Sequence, residues 1–319
     1  MQQARTLLAI ALSLIAWVCP VMAAGPNASD LGRQAILRWI NNYREMPEPH
    51  QLPHMVKLMH QQGLLQDIES AGLYIGFAAG VLQANPRMAK DLVAGMFPLA
   101  PESQVIIVRA IAYSGLPNWK ELLSSVAERM PARIVLIQRY LDDKLPTLDK
   151  LPLQTSPAVL DTNWGFYYAS GDVRALDRII DALAWAGDQN DLDRLTAGNM
   201  AKWTLANNAL NSKELTDHLK AEHSRRKGIV RKELGDVIEA AETYDTGRIR
   251  REAHMAIEQL KQKGPQTNRN FSFWSQAGQT ALAFGCVVAG TLGQAAIAVP
   301  CVIGGAATSA VLKLMATPR

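Results

Sequence analysis

The stretch WGFYYASGDVRALDRIIDAL, residues 164–183, predicts two antiparallel helices joined by a tight turn. Gly171 suits the end of the first helix because a residue without Cβ adopts the left-handed conformation without a clash. Asp172 follows as an N-cap, since its carboxylate can accept hydrogen bonds from the free amides of the next helix. The apolar residues of that second helix recur at the spacing of one buried face: Leu176, Ile179, Ile180 and Leu183.

Weaker copies of this hairpin occur on both sides of it. Three residues share the place of Asp172 ahead of an apolar helix pattern: Asn85, Asn118 and Asn211. In the last copy Trp203 aligns with Trp164. We therefore expect an all-α fold, an irregular stack of antiparallel helical hairpins of the α-solenoid kind. The alternative is an all-α globule whose hairpins look alike because helix capping uses few residue types.

The second helix of the hairpin resembles the second helix of a tetratricopeptide repeat. The resemblance is carried by the Gly171-Asp172 turn, the small residues Ala175 and Ala182, and the large apolar Ile179. The first helix departs from the family pattern, because Asn163 stands where the family usually has glycine. The family's period of about 34 residues is not kept either. The resemblance implies a scaffold that binds a peptide or protein partner on a concave face, without catalytic chemistry of its own.

The N-terminus has the layout of a secretory signal. Arg5 precedes an apolar run over residues 7–18, and small residues follow at Ala23 and Ala24. An uncleaved N-terminal membrane anchor is the alternative. We expect an exported protein that resides in the periplasm or is membrane-associated on the periplasmic side.

The remaining chain divides into three expected segments. Residues 25–150 form N-terminal helical hairpins, and residues 151–264 form C-terminal hairpins with strongly charged helices. A Pro-rich link at 145–157 marks the boundary between these two segments. Residues 270–317 form an uncharged apolar tail.

The tail carries no charged residue from Asn270 to Leu312. Residues 281–299 are numerous enough to span a bilayer, although their Ala- and Gly-rich composition makes insertion only marginally favourable. Membrane contact through residues 278–314 is one expectation. The other is an apolar Gly/Ala-rich helical hairpin docked on the stack. Cys286 and Cys301 would form a disulfide in an oxidising compartment, or remain as two buried thiols.

The sequence offers little that points to chemistry. The 33 basic and 29 acidic residues are mixed along the chain, which argues against nucleic acid as a partner. His50, His54 and His60 are the best metal candidates, but Pro53 separates the first two, so we expect no metal and no cofactor. Five aromatic residues are candidates for a binding surface, with packing between helices as the alternative: Trp164, Phe166, Tyr167, Tyr168 and Trp203.

The predicted function is that of an exported, non-catalytic helical-repeat scaffold or protein- and peptide-binding protein, held at a membrane by its tail. The alternative is a helical periplasmic hydrolase or transglycosylase-like enzyme with carboxylates such as Asp161 or Glu48 in a cleft. No nucleophile elbow, phosphate-binding loop or dinucleotide fingerprint supports a particular reaction.

Deletion of residues 278–314 tests the tail as a membrane anchor. We expect the full chain to sediment with membranes and the deletion variant to move to the soluble periplasmic fraction, because the longest apolar run is then absent. Cell fractionation followed by immunoblotting measures this distribution. A full chain that is soluble and monomeric without detergent would exclude the anchor.

Overall fold

The structure is a computed structural model that describes residues 28–67 and 70–262, and in these ranges it is all-helical. Short 3₁₀ turns join the α-helices, and the described residues contain no β-strand. The first seven α-helices are α1 (Ala28–Asn42), α2 (Leu52–Gln61), α3 (Gly72–Ala84), α4 (Ala89–Gly95), α5 (Val105–Tyr113), α6 (Trp119–Val126) and α7 (Ile134–Leu141). The next six are α8 (Pro157–Ser170), α9 (Val173–Asp181), α10 (Leu192–Ala209), α11 (Lys213–Arg225), α12 (Gly228–Glu242) and α13 (Thr246–Gln262).

Helices α3 and α8 form the centre of the fold. Helix α3 is apolar on every side and is buried from Gly72 to Leu82, so it has no face for water. Its most extensive contact is with α8, which is itself buried over residues 158–167. The expected all-α class is therefore confirmed, with two buried helices at its core.

Glycines allow α3 and α8 to approach until their backbones touch. A Cβ added at Gly76 would overlap the carbonyl oxygen of Thr162, and one added at Gly80 would lie 2.6 Å from the carbonyl oxygen of Phe166. Gly165 on α8 is equally close to the backbone of α3 at Leu73. Because residue numbers along the contact increase in the same direction on both helices, α3 and α8 run parallel.

The predicted hairpin is present at the junction of α8 and α9. Gly171 has φ of +70° and closes α8, while its backbone N–H donates to the carbonyl oxygen of Tyr167. The Oδ1 atom of Asp172 accepts a hydrogen bond of 3.0 Å from the backbone N–H of Arg174. The predicted apolar face of α9 is fully buried: Leu176, Ile179, Ile180 and the following Leu183.

The predicted copies of the cap differ in their chemistry. Asn85 does not start a helix, because its Nδ2 atom donates to the carbonyl oxygen of Val81 at 2.9 Å and so closes α3 instead. Asn118 precedes α6 without a capping hydrogen bond from its side chain. At the last copy Ser212, rather than Asn211, accepts from the backbone N–H of Leu215 at 3.2 Å and caps α11.

Helices α10 and α12 are tied together by a buried cation. The Nζ atom of Lys202 lies 2.5 Å from Glu233 and 2.9 Å from Asp236. Burial alone would lower the pKa of Lys202, but the hydrogen bonds that Lys202 donates to these two carboxylates outweigh the burial, and the pKa is raised. Loss of either helix would leave an uncompensated buried charge, so the pair fixes α12 on α10.

One hydrophobic cluster runs through both segments that the sequence divides near residue 150. It includes Ile36 of α1 and Leu234 of α12, and the α3–α8 contact crosses the Pro-rich link at 145–157. The signal segment 1–24, the tail 270–317 and the Cys286–Cys301 pair lie outside the described residues.

Replacement of Gly76 by alanine tests the α3–α8 contact. The added methyl group has no room against the backbone of α8, so we expect the free energy of unfolding to fall by about 3 kcal/mol. Urea denaturation followed by circular dichroism measures this change. Gly187→Ala is the matched control, since nothing lies within 4 Å of a Cβ at Gly187. Equal unfolding midpoints for the two variants would contradict the importance of the contact.

Candidate ligand groove

A groove of about 480 Å³ opens where the two segments of the chain meet. Its walls come from the α5–α6 turn, from the link that follows α7, and from the facing surfaces of α8 and α9. This volume lies within the range of about 300–1,000 Å³ that ligand pockets occupy. Residues from these three parts of the chain line it: Tyr113, Trp119, Lys120, Asp143, Asp149, Lys150, Phe166, Asp172, Arg174 and Arg178, with others.

The Arg178 guanidinium fixes the floor of the groove. It donates hydrogen bonds to the carbonyl oxygens of Leu148 and Leu151 in the link, and Nη1 donates to Asn163 Oδ1 at 3.2 Å. Burial lowers the pKa of Arg178, which the nearby Asp149 and Asp181 partly offset. An arginine remains protonated under these conditions, so the groove has a fixed positive group at its base.

The rim carries charges of both signs, held in pairs. Arg174 lies 2.5 Å from Asp172, and its hydrogen bond to this carboxylate is the largest cause of the lowered Asp172 pKa. Lys120 lies 2.6 Å from Asp143 and also donates to the carbonyl oxygen of Leu141 at 3.0 Å. A ligand at the rim therefore meets donors and acceptors that are already oriented.

Aromatic side chains supply the apolar walls. Tyr113 and Phe166 are buried at the edge of the core, while Trp119 is half-buried. The Lys120 Nζ atom lies 5.6 Å from the Trp119 ring centroid, which places a cation beside this aromatic face. The lining also includes Thr147, whose hydroxyl donates to Asp149 Oδ1 at 2.5 Å.

The five aromatic residues proposed as a binding surface are mostly inside the protein. Trp164 and Trp203 are 0% and 1% exposed, and Trp164 Nε1 donates to Thr204 Oγ1 at 3.1 Å. Tyr167 is also buried, and Tyr168 stacks on Trp164 at 5.7 Å between ring centroids. These side chains pack α8 against its neighbours, so the five do not form an open surface. Of the five, Phe166 lines the groove.

The two carboxylates of the hydrolase alternative lie in different surroundings. Asp161 is 8% exposed on α8, its Oδ1 atom has no hydrogen-bond partner, and burial raises its pKa to about 8. Glu48 is exposed in the link between α1 and α2. Neither residue lines the groove, so the structure does not assemble them into a catalytic cleft.

The histidines examined as metal ligands are also apart from the groove. His60 Nδ1 lies 2.8 Å from Ser103 Oγ, which ties α2 to the 3₁₀ turn before α5. Ser103 is 1% exposed and therefore closed to a substrate, although a serine–histidine pair at this distance otherwise suits nucleophilic chemistry. His54 lies on the exposed side of α2 and not on the buried face of that helix.

Trp119, Lys120 and Arg178 are site residues that the sequence alone did not indicate. Trp119 and Lys120 begin α6, whereas Arg178 lies on α9, and only the folded chain brings these two helices to one groove. The Pro-rich link was a usable signal, because an ordered link between helices needs partners for its backbone carbonyls, and Arg178 supplies them.

Comparisons with protein-family profiles, with curated proteins and with solved structures find no match to this chain. Within residues 28–67 and 70–262, none of the helices has the length and apolar character needed to cross a bilayer.

Asp161→Asn tests the environment of the buried carboxyl. Because the folded-state pKa of about 8 lies above the ordinary Asp value of 3.8, the folded protein binds a proton that the unfolded chain releases. The Asp161 carboxyl makes its full contribution to the free energy of unfolding below pH 3.8. This contribution declines by about 1.4 kcal/mol per pH unit as the pH rises towards 8. Asparagine cannot ionise, so the variant should lose this decline when unfolding is followed from pH 5 to pH 8.

Asp193→Asn is the matched comparison for that measurement. Burial, with a smaller effect of Asp191, raises the pKa of Asp193 to about 6, so its contribution should already be lost above that pH. Between pH 6 and pH 8 this variant should retain the wild-type slope, whereas Asp161→Asn should flatten it. Parallel curves for all three proteins would show that Asp161 is ionised in the folded state.

Proposed function

We propose that this protein is an exported helical-repeat scaffold that binds an extended peptide segment of a partner protein in the groove. The observation that carries the proposal is the groove itself, with aromatic walls, paired charges at the rim and a fixed guanidinium at the floor. Each of these features is used by proteins that recognise peptides.

The ligand class follows from the polarity of the lining. Lys120, Arg174 and Arg178 present donors, while Asp143, Asp149 and Asp172 present acceptors within the same groove. A peptide backbone carries both donors and acceptors, and its side chains can occupy the aromatic walls. A polyanion such as nucleic acid would meet three carboxylates among the four cationic side chains, of which Lys150 is the fourth, and this disfavours it.

Three consecutive hairpins support a repeat architecture for this scaffold. They are α8–α9, α10–α11 and α12–α13, and the first two have side-chain caps at the start of their second helices, at Asp172 and Ser212. The first helices α8 and α10 pack together, as do α10 and α12. This succession supports a solenoid-like stack of the tetratricopeptide kind, whose neighbouring units share one hydrophobic core.

The proposed export and membrane association of this scaffold rest on the sequence of its two ends. The secretory layout of residues 1–24 and the apolar tail at 270–317 favour a location in the periplasm or on the periplasmic side of a membrane. In that position the groove would hold a segment of another periplasmic or membrane protein.

A helical hydrolase or transglycosylase-like enzyme is the second candidate. The raised pKa of the buried Asp161 favours it, because such enzymes use a protonated carboxyl as a general acid. This candidate requires a substrate path to Asp161, and the groove does not provide one. Absence of peptidoglycan cleavage by the full chain, with unchanged results for Asp161→Asn, would eliminate it.

Selection of peptides against the purified full chain tests the binding proposal. A displayed library of random peptides should yield sequences that bind with measurable affinity by fluorescence anisotropy. Trp119→Ala should weaken that binding at least 10-fold, because truncation of an aromatic anchor commonly costs more than 1.4 kcal/mol at an interface.

Trp185→Ala is the matched control for the peptide measurement. Trp185 is also half-buried, and it lies against Arg194 away from the groove lining. We expect this variant to bind the selected peptides like the wild type. Equal effects of the two substitutions, or no peptide enriched by the wild-type chain, would overturn the assignment of the groove.

A further inference from the structure

The side chains of α9 and α11 bring together three groups of the kind that bind metal ions. They are Asp177 on α9 and His218 and Glu222 on α11, and their ligand atoms all lie within 4.8 Å of one another. His218 and Glu222 are four residues apart on one helix, so both project from the same face. The sequence alone did not indicate this set, because the third ligand comes from a helix 41 residues away from His218.

We propose that Asp177, His218 and Glu222 bind a divalent transition-metal ion, with zinc as the ion that these ligands fit. One imidazole nitrogen and two carboxylate oxygens, completed by water, form an ordinary four-coordinate zinc set. With bonds of about 2.0–2.1 Å, two ligand atoms of a tetrahedral site lie about 3.3 Å apart. His218 Nε2 and Asp177 Oδ1 are separated by 3.2 Å, so this edge of the site is already formed.

The site is open enough for an ion to enter. The side chains of Asp177 and His218 are 36% and 19% exposed, whereas Glu222 is 8% exposed beneath them. An ion can therefore reach the two outer ligands from solvent and keep a water molecule on its open side. The buried Glu222 would hold it from below.

Two arginines surround Glu222 and position its carboxylate. Arg225 Nη1 donates to Oε1 at 2.8 Å, and Arg226 Nε donates to Oε2 at 2.9 Å. Each carboxylate oxygen can accept a second interaction, so these hydrogen bonds leave room for a metal bond. They resemble the outer partners that orient metal-binding carboxylates in other proteins.

Ion pairs already join α9 to the end of α11. Arg226 pairs with Asp181 of α9 as well as with Glu222 of α11. A divalent ion held by the three ligands would join the two helices directly. Asp177 precedes Arg178 in the chain but does not line the groove, so the two sites are separate.

The test uses the full chain with its three cysteines, Cys19, Cys286 and Cys301, replaced by serine, so that thiolates do not bind the ion. After treatment with a chelator, the protein is titrated with zinc chloride by isothermal calorimetry. We expect one ion per chain and a rise in the thermal unfolding midpoint with zinc, because the ion binds the folded state. His218→Gln should weaken zinc binding at least 10-fold and abolish the rise.

His223→Gln is the matched control, since His223 lies five residues further along α11 beside Gly235 and outside the cluster. It should bind zinc like the parent chain. Asp177→Asn, which changes the most exposed ligand, should repeat the loss if His218→Gln does not fold by circular dichroism. No zinc binding by the parent chain, or equal binding by His218→Gln or Asp177→Asn and the control, would overturn the proposal.

Discussion

The whole structure depends on the distance between α3 and α8. The two buried helices meet with no side chain between them at Gly72, Gly76 and Gly80 of α3. Gly165 of α8 likewise has no side chain where α8 contacts the backbone of α3. The close approach brings the backbone of one helix into van der Waals contact with the other and places large side chains such as Trp164 and Phe77 on either side. Helices α1, α4, α5, α9 and α10 pack directly on this pair, and α12 and α13 pack in turn on α10.

The groove illustrates how that central pair creates a surface. Phe166 and Asn163 belong to α8, while Arg178 follows on α9, and all three face a link that comes from the other segment of the chain. Arg178 holds the link through backbone carbonyls, which do not depend on the identity of the link's side chains. The floor of the groove is therefore held through backbone atoms, while at the rim Asp172 both lines the groove and caps α9.

Local chemistry in the sequence predicted a large part of the fold. The all-α class, the Gly171–Asp172 turn and the buried face of α9 follow from capping and from the 3.6-residue period, because both act within a few residues. The same reasoning failed at Asn85, where a side chain suited to start a helix closes the preceding one. Capping residues satisfy backbone groups on either side, and the sequence around Asn85 did not decide between them.

The site could not be predicted in the same way, because it is formed by contacts between distant segments. Trp119, Asp149 and Arg178 have nothing in common in sequence, and the ligand set of Asp177, His218 and Glu222 spans two helices. One signal was available: glycines at every fourth position of α3 form a stripe on one helix face, which indicates a close helix partner. That stripe identifies a contact but not its partner, which lies 86 residues away between Gly76 and Thr162.

That separation affects how the chain can fold. Helix α3 has no polar face. During synthesis α8 cannot cover it until about 86 further residues have been added to the chain. Non-local pairing of this kind folds slowly, because the loop between the partners must close before the contact contributes stability. A growing chain that ends before Pro157 exposes an entirely apolar helix, which is the kind of surface that chaperones and aggregation both recognise. The feature that makes the finished fold tight also makes its unfinished chain dependent on protection.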